Sequence, residues 1–148
     1  MKYGVNSYMN TVQRIKQITT AFERQANRVL SKYQLTMSQM DTLMFLLSCG
    51  KKSVIQREIE NALHLKNPTV SGILDRLERK DFIKRCPDPT NRRVNQIVLT
   101  EKSIGLQESA IKDINMLFDS LLIDLSEKEK EQFSGFLDKI LERAESDL

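Results

Sequence analysis

The chain has 148 residues, with 29% charged and 40% hydrophobic positions and a net charge of +3. This is the balance of one globular domain, or one domain with a dimerisation extension, and it excludes a disordered or fibrous chain. No apolar run approaches the roughly 20 residues that span a bilayer, and MKYGVNSYMN at the start holds no signal-peptide stretch, so a cytoplasmic protein without a membrane partner is expected.

The charge is unevenly spread. Residues 1–63 hold nine Lys and Arg against four Asp and Glu, residues 64–100 eight against four, and residues 101–148 six against twelve. The first two thirds suit a polyanion and the last third does not.

The first predicted helix carries Tyr8, Val12, Ile15, Thr19, Phe22, Ala26, Val29 and Tyr33 at alternating steps of three and four. So narrow a stripe fits either a core helix or one that also packs against another chain. Thr36 and Gln39 form a capping box opening a second helix with Met40, Leu43, Met44 and Leu47. It ends near Gly50-Lys51-Lys52-Ser53, and Val54-Ile55 is a short extended segment. A brief helix over Gln56–Leu63 buries Ile59, Ala62 and Leu63, and His64-Leu65-Lys66 is its turn.

The next helix begins at Asn67, a favoured N-cap, with Pro68 in its first position. At about 100° per residue, Val70, Ile73, Leu74 and Leu77 share a buried face. Pro68, Gly72, Asp75 and Arg79 oppose them, with Thr69, Ser71 and Arg76 on the shoulders. Glycine inside a helix costs about 1 kcal/mol relative to alanine, which a close approach of DNA to Gly72 would offset. Thr69 and Ser71 can donate to phosphates or base edges, and Lys66 adds positive potential at the helix start.

Phe82–Cys86 pairs with Asn95–Leu99 in a hairpin whose tip, Pro87 to Asn91, cannot continue a strand. Arg92 and Arg93 follow the tip, and arginine suits a narrow minor groove. Asp88 is placed to pair with one of them and shape the loop. Thr100 and Ser126 cap two closing helices, the first carrying Ile104, Ile111, Ile114 and Leu117 and the second Phe133, Phe136, Leu137 and Ile140. The fold class is mainly α with a small β-hairpin wing, in which a helix-turn-helix stands beside an arginine-tipped ribbon. That outline fits a reader of double-stranded DNA.

Cys49 and Cys86 have no metal-ligand spacing, His64 is the single histidine, and no nucleophile constellation or phosphate loop is visible. Neither an enzyme nor a cofactor is expected. A winged-helix module that binds protein rather than DNA is the alternative.

The LTMSQMDTL opening, the NPTVSGILDRLERK helix and the DPTNRRVNQIVLT wing resemble the MarR (multiple antibiotic resistance regulator) family. The resemblance spans nearly all of residues 1–148, and is densest over residues 35–100. It implies a winged helix-turn-helix DNA-binding part at 35–100, and a homodimer built from helices in 1–34 and 101–148. It further implies repression of transcription, released when a small aromatic or phenolic effector binds. The DNA-binding residues it points to are Lys66, Asn67, Pro68, Thr69, Ser71, Gly72, Arg76, Arg92 and Arg93. Two positions depart from the pattern: Asp81 stands where the family commonly has glycine, and Asn91 where it often has aspartate.

Overall fold

The computed structural model describes residues 5–50 and 53–146, with side chains from Asn10 onward. The Tyr8 side chain, first in the predicted stripe, and Lys51-Lys52 in the predicted turn lie outside the described residues. The elements run α1 (Val5–Leu30), a 3-10 turn (Ser31–Tyr33), α2 (Met37–Ser48), β1 (Val54–Ile55), α3 (Gln56–Leu63), α4 (Asn67–Arg79), β2 (Ile83–Pro87), β3 (Asn95–Leu99), α5 (Glu101–Leu121) and α6 (Glu127–Ser146). They form two compact units, one ending at Ile114 and one beginning at Asn115.

The first unit encloses the core. Leu43, Ile59, Val70, Leu74, Leu77 and Phe82 are almost wholly buried in it, and α4 contributes the face that its apolar spacing marks. On α2, Met40 and Leu43 are buried as expected, but Leu46 joins them while Met44 and Leu47 are 36% and 39% exposed. On α3, Ile59 is buried and Leu63 half-buried against the core, whereas Ala62 is exposed. The stripe on α1 divides. Ala26 is buried in this unit and Phe22, Val29 and Tyr33 are half-buried, whereas Val12 and Ile15 are 46% and 56% exposed; beside the stripe, Leu30 is buried and Ile18 is 63% exposed. The core reading therefore holds for the later half of the helix, and the earlier half presents its apolar residues unburied.

The Thr36 capping box forms as expected: the Gln39 N–H donates to Thr36 Oγ1 and the Thr36 N–H to Gln39 Oε1. Thr100 caps α5, accepting the Ser103 N–H at its hydroxyl. Along α5, however, Ser103, Gln107 and Ala110 are the buried positions, while Ile104 is 54% exposed. Gln107 is held there by its Nε2, which donates to the Leu43 carbonyl of α2 at 3.1 Å, and the Ser103 hydroxyl is satisfied by the Thr100 carbonyl.

The sheet has the order β1-β3-β2, antiparallel throughout. Ile83 pairs with Leu99 and Pro87 with Asn95, so the hairpin is one residue later in its first strand than the sequence suggests. Phe82 is excluded because its N–H closes the end of α4 on the Leu77 carbonyl at 2.9 Å. Pro87 is tolerated as the last residue of an edge strand, where no ladder donor is needed. The short Val54-Ile55 segment adds a third strand, with Val54 opposite Ile97.

In the second unit, Ser126 donates to Glu129 through both its N–H and its hydroxyl and opens α6. No described residue of α6 is buried, and Phe136, Ile140 and Leu141 are 59%, 63% and 57% exposed. Among the described residues, no helix is long and apolar enough to cross a membrane.

Candidate nucleic-acid interface

The site is built on α4. Val70, Ile73, Leu74 and Leu77 anchor its inner face, leaving Pro68, Thr69, Asp75, Arg76 and Arg79 exposed on the others. The start of the helix differs in detail from its predicted form. Lys66, not Asn67, is the N-cap: its carbonyl accepts the Thr69 and Val70 N–H groups at 3.0 and 3.1 Å. Asn67 is instead the first helical residue, and its side chain donates to Glu60 Oε1 at 2.7 Å. Gln56 Nε2 donates to the same Glu60 oxygen at 3.0 Å, so one carboxylate on α3 holds both sides of the turn. Pro68 is left in the first turn, where its missing N–H has no intrahelical role.

The far end of α4 is closed by Asp81 in the left-handed conformation, at φ 60°. The Asp81 N–H donates to the Glu78 carbonyl and the Phe82 N–H to that of Leu77, the paired bonds of a Schellman cap. The buried Phe82 and Leu77 side chains complete it. Aspartate therefore does here what glycine does more cheaply.

At the wing tip Asp88 is the organising group. Its Oδ1 accepts from the Thr90 N–H and hydroxyl and from the Asn91 N–H, at 2.8, 2.6 and 3.0 Å, while Oδ2 accepts from Gln96 Nε2. These bonds, the Thr90 hydroxyl and Gln96 amide foremost, hold its carboxyl well below the usual carboxylate range. The expected pairing with an arginine is absent: Asp88 shapes the loop through neutral donors, whose short chain reach keeps the carboxylate occupied. Asn91 Oδ1 accepts the Arg93 N–H at 3.1 Å. Arg92 and Arg93 are exposed, and among the described residues they have no ion-pair partner, nor do Lys66 and Arg76.

The predicted site residues gather on two sides of α4. A groove of about 300 Å³ joins Pro68, Thr69, Gly72 and Arg76 to Thr36, Ser38 and Gln39 at the start of α2. A cleft of about 500 Å³ between α4 and the wing joins Asn67 and Ser71 to Arg57, Arg85 and Arg93. Lys66 and Arg92 line neither. An added Cβ at Gly72 would meet nothing within 4 Å, so the fold itself does not require a glycine there. Arg57 and Ser38 escape sequence reasoning because each sits on a helix chosen for its apolar face. Arg57 shares a cleft with Arg93 because β1, two residues before it, pairs with β3 of the wing.

Among the described residues, no group of three His, Cys, Asp or Glu side chains could hold a metal ion. Cys49 is half-buried against the core and Cys86 is exposed on β2.

A helix-turn-helix whose second helix stands beside a three-stranded antiparallel wing defines the winged-helix class of transcriptional regulators. The MarR family model matches residues 35–94. The structure superposes on MepR of Staphylococcus aureus, from its DNA complex, with a TM-score of 0.82 and 30% identity, covering 90% of this chain and 97% of MepR. The HTH-type regulator YfiV of Bacillus subtilis is 30% identical over 78% of this chain and 73% of its own. PecS of Dickeya dadantii, another HTH-type transcriptional regulator, is 28% identical over 89% of this chain and 80% of its own. The chain belongs to the MarR family.

Proposed function

We propose that this protein is a homodimeric regulator that binds a pseudo-palindromic DNA operator, with α4 in the major groove and the wing in the minor groove. The observation that carries this reading is the pairing of a small-residue helix face, Pro68-Thr69-Gly72, with unpaired cations at Arg76, Arg92 and Arg93. Backbone contacts come from Thr69, Ser71, Lys66, Arg76 and the start of α4. Close approach is at Gly72, and Asn67 acts chiefly by fixing the turn on Glu60. Arg92 and Arg93 supply charge to the minor groove. The MepR structure was solved with DNA, and its likeness over nearly the whole chain supports the same ligand class here.

The exposed apolar residues of α1 and of α6 are the surfaces we assign to the second copy, since apolar faces of this extent on helix after helix need a cover. Repression, with release by a small effector, is the regulatory mode proposed. An apolar hollow of about 420 Å³, walled by Leu46, Leu47, Val54, Ile97, Val98 and Ile104, supports an effector of apolar or aromatic character. It lies between α2, the sheet and the start of α5. A DNA-binding role places the protein in the cytoplasm, with the chromosome.

Selection of bound sequences from random DNA tests the reading. It should return an inverted repeat whose half-site centres lie about one helical turn, roughly 34 Å, apart. Recovery of unrelated sequences would favour a protein-binding winged helix instead.

A further inference from the structure

Two carboxylates sit on the DNA side of α4, where a polyanion should find only cations. Asp75 and Glu78 are 54% and 40% exposed, and both are directed at one residue of the wing. Arg85 Nη1 donates to Asp75 Oδ1 at 2.7 Å and to Glu78 Oε2 at 3.0 Å. The Arg85 N–H donates to Glu78 Oε1 at 3.1 Å. Among the described residues, no other side-chain hydrogen bond or ion pair joins α4 to β2 or β3. The Arg85 side chain is only 21% exposed and lines the same cleft as Ser71 and Arg93. A rigid, planar guanidinium can hold two acids at once, which an ammonium does less well.

We propose that Arg85 is a positioning residue for DNA binding: its bridge to Asp75 and Glu78 sets the angle between the wing and α4, so that Arg92 and Arg93 reach DNA while α4 is seated. The proposal rests on the DNA-binding reading above. It explains why acids are present on this surface. Their charge opposes DNA, but they are needed to aim the arginines.

The sign of one experiment separates position from charge. The full-length dimer and its Asp75→Asn/Glu78→Gln variant are titrated onto the duplex recovered from random-sequence selection, each with and without Arg92→Ala/Arg93→Ala. Charge alone predicts tighter binding by the variant, since two acids facing DNA are gone. Positioning predicts weaker binding. It also predicts that removing both wing arginines costs on the order of 100-fold in wild type but only about 10-fold in the variant. Tighter binding, or an equal cost of removing the arginines in both backgrounds, overturns the proposal. If the acid variant does not fold, Arg85→Lys takes its place: the charge is kept, the double bridge is not, and the arginines should again count for less. A wild type that binds no duplex removes the DNA-binding reading and this proposal together, whereas an additive cycle removes this proposal alone.

Discussion

The carboxylate of Asp88 accepts a hydrogen bond from Gln96 Nε2 at 2.8 Å, tying the outgoing end of β2 to β3 just inside the wing tip. The other oxygen of the same carboxylate holds Thr90 and Asn91. One side chain thus fixes the loop that presents Arg92 and Arg93, without pairing with either.

Asp88→Ala should therefore weaken DNA binding by about tenfold, the scale of one or two lost charge-assisted hydrogen bonds. Global unfolding should change little, because the loop lies outside the core. Asp88→Asn, which keeps one acceptor oxygen for Thr90 and Asn91 but loses the charge and the acceptor for Gln96, should fall between. Fluorescence anisotropy with labelled duplex, beside thermal melts, checks both.

The same group predicts a pH response. Its folded pKa lies below that of an unfolded aspartate, so its contribution is complete above the unfolded value of about 4 and is lost only as pH falls through the lower folded value. Wing order, followed by NMR of the Thr90 and Asn91 amides, should be constant from roughly pH 5 to 8. Amide shifts that titrate within that window would contradict the bonding described.

Gly72 should separate stability from function. A methyl group there meets nothing, and alanine is the better helix former, so Gly72→Ala should stabilise the free protein by up to about 1 kcal/mol. Against DNA the same methyl should weaken binding, and Gly72→Leu should weaken it further. Paired denaturation and binding curves measure the opposed effects, and normal binding by Gly72→Leu would move the reading head elsewhere.

Asp81→Gly is expected to stabilise by about 0.5–1 kcal/mol: relief of left-handed strain exceeds the added chain entropy of glycine. Urea unfolding should show this as a raised midpoint with unchanged slope.

What could be read from the sequence was mostly local. The α4 core face and the Thr36, Thr100 and Ser126 caps each follow from residues within a turn or two of one another, whereas Asp81 was marked only by the family resemblance, as a departure from glycine. The misplaced N-cap at Asn67 has a non-local cause, since its side chain is taken by Glu60 across the α3–α4 turn. The bridge from Arg85 to Asp75 spans the α4–β2 corner, and the helix wheel, which places Asp75 opposite the buried face, carries no sign of a partner on the wing. On α5, Ile111 and Ile114 pack against the core as their spacing indicates, but Ile104 is exposed, and the buried Gln107 escaped notice because it is polar and donates to a carbonyl on another helix. Of the positions marked for DNA contact, all but Lys66 and Arg92 line two concavities flanking α4, while Arg57 and Ser38 joined them only through the fold.

The dimer surface gives its own outcome. Phe136→Asp with Ile140→Asp should convert the protein to a monomer at micromolar concentration in sedimentation velocity, and lower operator affinity, since one recognition helix then acts alone. A dimer that survives both changes would exclude α6 from the interface.

The central claim, a cationic wing and helix closing on duplex DNA, is tested most directly by the salt dependence of binding to the selected duplex, with and without Arg92→Ala/Arg93→Ala. For wild type, affinity should fall about 10³-fold or more between 50 and 200 mM salt, as expected for about six or more phosphate contacts, and losing the two arginines should flatten the log–log slope by about two. A slope near zero for wild type, or one the arginine pair leaves unchanged, would contradict the account.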